Sequence, residues 1–199
     1  MERSRSPIRI APEIVAYMRK IDAYRAGRDP IRSMRGAPAR LERAVRGLTL
    51  AQLRKRPAPG KWSIGEIVGH LLDTEVVYGY RYRMALCASG TPIQAYDQAA
   101  WAESFRGRRV AVSRLLRQIR FLREVNLDLV TGVPRTWWSR YGRHSERGKE
   151  SVRRTLELVA GHDWNHLDQI MEIRKRYGWG STGRPRRARP PRARRRAAA

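Results

Sequence analysis

The stretch Trp62-Ser63-Ile64-Gly65-Glu66-Ile67-Val68-Gly69-His70-Leu71-Leu72 decides the fold, because it opens a helix more clearly than any other segment of the chain. Ser63 and Glu66 stand three apart, the capping-box arrangement in which each side chain satisfies a free backbone N–H of the other. Trp62 before the cap and Ile67 at the fourth helical position are placed as a hydrophobic staple. The helix continues through Ile67, Leu71, Val76 and Tyr82 to about Ala88, where Gly90-Thr91-Pro92 ends it.

Toward the N-terminus, Arg56-Pro57-Ala58-Pro59-Gly60 is a turn. Before it, Ile31, Met34, Leu41, Val45 and Leu48 outline a helix opened by Asp29-Pro30 as N-cap and first helical residue. Gly36 and Pro38 are expected to kink or split it. Ile14, Tyr17, Met18 and Ile21 mark an amphipathic helix between Ala11 and Ala26. Toward the C-terminus, a loop with Tyr96, Asp97 and Trp101 precedes a long helix carrying Val112, Leu115, Leu116, Ile119, Leu122 and Leu129. Residues 135–150 are polar and glycine-punctuated and read as a loop. The last helix begins near Ser151 and runs to about Tyr177 through Leu156, Val159, Leu167, Ile170 and Ile173. No repeat and no alternating strand pattern interrupts this order. The expected fold is all-α: a four-helix bundle with an extra N-terminal helix. Two of the connections are long enough to cross over, so the order of the helices around the bundle stays open.

The chain divides into a basic N-terminal extension (1–28), the bundle (29–177) and a tail (178–199) whose Gly, Pro and Arg content supports no core, so disorder is expected there. At 199 residues there is room for one domain with a real core. The formal net charge is +25; eight arginines and no acid lie between Gly180 and Ala199, and seven basic against three acidic residues lie in the first 28. Such a chain holds polyanions at low salt, although like-charged runs are ordinarily solvated tails. Cys87 is the sole cysteine, which precludes an intramolecular disulfide. No apolar run approaches the roughly 18 residues of a membrane span, and the basic start MERSRSPIRI lacks the apolar stretch of a secretory signal. A cytoplasmic location is the expectation, with no membrane partner.

Four histidines are present, and their placement carries chemistry. His162 and His166 lie one helical turn apart, with Cβ atoms roughly 5–6 Å from each other, on a stripe (Val159, Ile170, Ile173) that is otherwise apolar. His70 sits between Ile67 and Leu71 on another helix. Three neutral imidazoles converging in a bundle core would make a divalent metal site with one position open to water or substrate; the alternative is that each is a separate core histidine with a satisfied hydrogen bond, and spacing alone leaves both open. Gln169, three beyond His166, is placed to hydrogen-bond a ligating ring. The spacing also matches the HExxH pattern of metalloproteases, but Asp163 stands where the glutamate base would be, one methylene too short to place the attacked water. His144, in Tyr141-Gly142-Arg143-His144-Ser145, is expected to be exposed. Glu75 falls about 140° round the helix from His70 and reads as a surface or interhelical ion pair. Trp62, Trp101, Trp137, Trp138 and Trp164 are placed to pack or to line a pocket.

Three motifs resemble those of the DinB/YfiT-like proteins: Pro57-Ala58-Pro59-Gly60-Lys61-Trp62-Ser63-Ile64 continuing to His70-Leu71-Leu72-Asp73-Thr74-Glu75, the loop Tyr96-Asp97-Gln98-Ala99-Ala100-Trp101, and Ala160-Gly161-His162-Asp163-Trp164-Asn165-His166-Leu167-Asp168-Gln169-Ile170. The likeness spans roughly 29–176 and leaves out the first helix and the tail. It implies a four-helix bundle holding nickel, zinc or a similar ion on His70, His162 and His166. Asn165 stands where many members carry a further histidine that is not a ligand. Members of the wider superfamily include mycothiol- or bacillithiol-dependent S-transferases and isomerases, and others are classed as metal-dependent hydrolases. The resemblance therefore implies a metal-dependent transferase or hydrolase acting on a small molecule, with a low-molecular-weight thiol as a candidate cosubstrate. A broad apolar bundle face would also allow a homodimer. The competing reading makes the bundle a scaffold and the arginine tail a nucleic-acid-binding arm; it has the charge but neither a helix-turn-helix nor a zinc finger.

Overall fold

The computed structural model describes residues 10–106 and 111–180, and the elements named below lie within them. The helices are α1 (Pro12–Arg25), α2 (Pro30–Val45), α3 (Leu50–Arg54), α4 (Ile64–Cys87), α5 (Gln98–Arg106), α6 (Val112–Thr131) and α7 (Val152–Arg176). Three short strands, β1 (Thr91–Ile93), β2 (Tyr141–His144) and β3 (Gly148–Ser151), and a 3-10 turn at Arg135–Ser139 complete the order.

The helix starts follow local chemistry. Asp29 caps α2 by accepting from Arg32 N at 2.7 Å, with Pro30 as its first residue. Ser63 and Glu66 form the capping box of α4: Glu66 Oε2 accepts from Ser63 N at 2.8 Å and Ser63 Oγ accepts from Glu66 N at 3.3 Å. Ser151 caps α7 by accepting from Arg154 N at 3.1 Å. Pro38 does not split α2, which is continuous. Proline has no N–H to give to the carbonyl four residues back, and Arg123 Nη1 serves the Met34 carbonyl instead, at 2.8 Å. Leu48 lies beyond α2, and Thr49 opens α3 through its own capping box with Gln52.

The four bundle helices close into a ring in the order α2, α6, α4, α7. Helices consecutive in the chain, α2 with α4 and α6 with α7, therefore lie across the diagonals, and the long connections cross the bundle ends. Two apolar clusters fix the directions. One holds Met34, Tyr82, Ala85, Leu127, Val130, Leu156 and Val159; the other holds Leu41, Val45, Ile67, Leu71, Leu115, Ile119, Ile170 and Ile173. Reading each helix from cluster to cluster, α2 and α7 run one way, and α4 and α6 run the other. Between the clusters every bundle helix except α2 contributes buried polar residues, and the candidate site lies in this layer.

Three features depart from the sequence reading. Trp101, expected in a loop with Tyr96 and Asp97, lies in α5, whose start Asp97 caps by accepting from Ala99 N and Ala100 N. Residues 141–151 form a β2–β3 hairpin, and β1 pairs parallel with β2, Thr91 opposite Gly142. Strands of three or four residues are too short to show alternation, and the parallel pairing joins segments fifty residues apart. The bundle thus carries a small three-stranded sheet, in the order β1-β2-β3, beside its helices. The start of the expected disordered tail is folded: the Trp179 ring stacks on Tyr177 at 4.8 Å, and Arg174 donates to the Trp179 and Gly180 carbonyls and to Ala44 O. One arginine near the end of α7 serves a carbonyl in the last turn of α2 and two in the chain beyond α7, which holds the fold-back in place. The remaining tail, 181–199, lies outside the described residues, as do 1–9. No helix among the described residues is long and apolar enough to cross a membrane.

Helix α1 packs along α7. Gly161 allows the approach: a Cβ there would lie 2.2 Å from the Ile21 carbonyl oxygen. Arg154–Asp22 and Tyr24–Asp168 hydrogen bonds hold the two helices along their length.

Candidate metal centre

His70 projects from the second turn of α4, and His162 and His166 from successive turns of α7. All three are buried, with relative exposures of 1%, 8% and 5%. Their Nε2 atoms meet: His162 Nε2 is 3.0 Å from His70 Nε2 and 3.0 Å from His166 Nε2. The ring centroids lie 4.3–5.0 Å apart in edge-on pairs. Around a tetrahedral ion with bonds of about 2.0–2.1 Å, ligand nitrogens stand roughly 3.3 Å apart. The His162 nitrogen is therefore within a few tenths of an ångström of ligating spacing from each of the other two, and all three donor atoms lie within 4.8 Å of one another.

Burial holds the imidazoles uncharged, reinforced by His166 beside His70 and by both neighbours beside His162. His70 is pushed down to about 3, His166 to about 4, and His162 well below its ordinary value. Neutral imidazole is the form that binds a cation. Gln169 Oε1 lies 2.8 Å from His166 Nδ1. A carbonyl oxygen only accepts, so the proton sits on Nδ1 and the Nε2 lone pair faces the other two rings. The Trp62 ring covers the cluster, 4.8 Å from the His70 centroid and stacked at 6.3 Å over His166.

Residues 33–170 match the model of the DinB superfamily. The chain belongs to the DinB superfamily. Among curated superfamily proteins it is 26% identical over 149 residues to an Oceanobacillus iheyensis protein named "putative metal-dependent hydrolase", with 75% of this chain and 86% of that protein covered. It is 26% identical over 151 residues to YfiT of Bacillus subtilis, which bears the same description (75% and 84% covered). The solved structure of Bacillus subtilis YfiT, described as having an unusual four-helix bundle topology, superposes with a TM-score of 0.71 at 22% identity, over 88% of this chain and 94% of that one.

Asp163, the residue in the HExxH glutamate position, is not free to act as a base. Its carboxylate accepts from Arg123 Nη1 at 2.7 Å and Nη2 at 3.2 Å, and Arg123 also binds Glu75. Asn126 donates to the Glu75 carbonyl at 2.9 Å. Glu75 is thus an interhelical ion pair, and a fully buried one. The sequence reading missed Arg123, because an arginine on α6 gives no sign of facing inward until its two carboxylate partners are placed.

His144 is corrected: it is fully buried. Its ring is enclosed because β2 lies between β1 and β3, a consequence of long-range pairing. His144 Nδ1 accepts from the backbone N–H groups of Glu146 (3.1 Å) and Arg147 (3.3 Å). Of the tryptophans, Trp138 is buried and donates to Val130 O at 2.8 Å, Trp164 donates to Ser33 Oγ at 2.8 Å, and Trp101 and Trp137 remain largely exposed. Among the described residues, Trp62 is the tryptophan whose ring meets the histidine cluster.

Proposed function

We propose that this chain is a metal-dependent hydrolase of a small molecule, with the ion held by His70, His162 and His166. The observation that carries this reading is the meeting of three buried, neutral Nε2 atoms from two helices. Uncharged nitrogen donors with the lone pair turned inward fit zinc or nickel. Bound there, such an ion supplies a Lewis acid that can polarise a carbonyl or activate water or a thiol at neutral pH.

The protein's own groups do the rest. Gln169 fixes the orientation and tautomer of His166. Thr74 donates to the His70 carbonyl at 2.9 Å and lines one cavity with Tyr96, which places the loop after β1 against the helix that carries His70. Trp62 shields one side of the cluster from water, which strengthens electrostatic interactions inside it.

The names of the relatives support hydrolysis; the superfamily's thiol-dependent members make S-transfer the alternative for the same centre. One assay separates the two. Protein loaded with Zn²⁺ or Ni²⁺ is incubated with activated esters and amides, with and without a low-molecular-weight thiol. Turnover without thiol, abolished in His166→Ala, is the expected result. Turnover only with thiol, forming a thioester and releasing the alcohol or amine, would move the assignment to a transferase. No turnover in either case would remove the enzyme reading.

A further inference from the structure

Beside the histidine cluster lies a cavity of about 40 Å³ whose lining includes His162, Thr74, Tyr78, Arg81, His144 and Arg147. That is room for roughly three water-sized groups. Its polar lining is incompletely matched in a consistent sense. Arg81 is only 4% exposed, yet it donates to the Gln94 carbonyl at 2.6 Å and lies 5.1 Å over the Tyr78 ring, with no carboxylate at ion-pairing distance among the described residues. Arg147 pairs with Glu150 through Nε at 2.7 Å, but its buried Nη2 has no partner among the described residues. His144 Nδ1 accepts two backbone N–H bonds, so in the neutral ring the proton sits on Nε2, and that buried N–H is also unmatched.

A buried guanidinium with no carboxylate at ion-pairing distance, and two buried donors without acceptors among the described residues, are costly to retain. Each deficit is a donor or a positive charge, and each is met by the same chemistry: a compact anion with two acceptor oxygens. Glu146, also in the lining, is the one opposing charge there, while Glu150 is already neutralised by Arg147. We infer that this cavity receives a carboxylate of the substrate, bound by Arg81, Arg147 and His144, with the reacting part of the molecule directed toward the His162 side. This rests on the metal-dependent reading only for the direction of the substrate; the carboxylate pocket itself needs no ion. It makes the substrate class a small carboxylic acid, and Arg81 a specificity-determining residue.

Calorimetric titration with acetate, and with the neutral isostere acetamide, tests the pocket on both metal-free and metal-loaded protein. Two variants probe it without stranding a buried partner. His144→Asn keeps an acceptor where Nδ1 stands and withdraws the Nε2 donor; Arg81→Gln removes the charge. Acetate is expected to bind both forms of the protein, acetamide at least tenfold more weakly, and each variant is expected to lower acetate affinity at least tenfold with metal content unchanged. Acetate binding confined to the metal-loaded protein and indifferent to both variants would place the carboxylate on the ion and overturn the pocket, leaving the metal reading intact. Acetate binding that both variants weaken, in a protein that takes up no metal, would uphold the pocket and defeat the metal reading. Equal binding of acetate and acetamide would also overturn the proposal.

Discussion

A histidine kept uncharged by burial makes folding depend on acid, and His144 shows the sign. Its folded value is depressed from 6.5 to about 4, first by burial and then by the Arg147 and Arg81 charges. Between those values the unfolded chain binds a proton that the folded chain does not, so stability is complete above pH about 6.5 and falls as pH drops toward 4. The contribution of this one residue reaches roughly 3 kcal/mol. Urea unfolding of metal-free wild type and His144→Asn across this range should show the shallower pH dependence in the variant; parallel curves would contradict the burial. The residue scale is also where the sequence was most uneven as a guide. The i, i+4 histidines and the glutamine after them were readable, because helical spacing alone sets which rings share a face. His144, Arg81 and Arg147 were not, because their burial depends on a strand pairing with no local signal.

Between elements, the decisive contact is the approach of α1 to α7 at Gly161. A methyl group there would meet the backbone carbonyl of Ile21 at 2.2 Å, and a backbone atom cannot rotate away as a side chain can. Gly161→Ala must push α1 off the helix that carries His162 and His166, at a cost of at least about 2 kcal/mol. Urea denaturation should show this as a lower midpoint, and an unchanged midpoint would mean that α1 does not pack in solution as described. The helices themselves were legible from caps and three-four spacing, since Asp29, Ser63 and Ser151 each satisfy a backbone donor locally. The sequence could not show how the helices are arranged, because the crossing of α2 to α4 and of α6 to α7 is set by which apolar faces meet.

For the whole molecule, the same layer that holds the histidines also holds one buried cation joining four helices. Arg123, on α6, binds Glu75 on α4, Asp163 on α7 and the Met34 carbonyl on α2. Arg123→Met would leave two buried carboxylates unpaired, at a cost of about 3–5 kcal/mol, and adding Glu75→Gln and Asp163→Asn should recover part of the loss. A single variant as stable as wild type would show that the network is not closed as described. With the scaffold secured in this way, the central claim is that three imidazoles meet at one ion. Elemental analysis of purified wild type beside His70→Ala, His162→Ala and His166→Ala tests it most directly. About one equivalent of zinc or nickel in wild type, lost in each folded variant, is the predicted result. A wild-type protein that holds no metal and gains no thermal stability from added Zn²⁺ or Ni²⁺, or variants that keep a full equivalent, would contradict it.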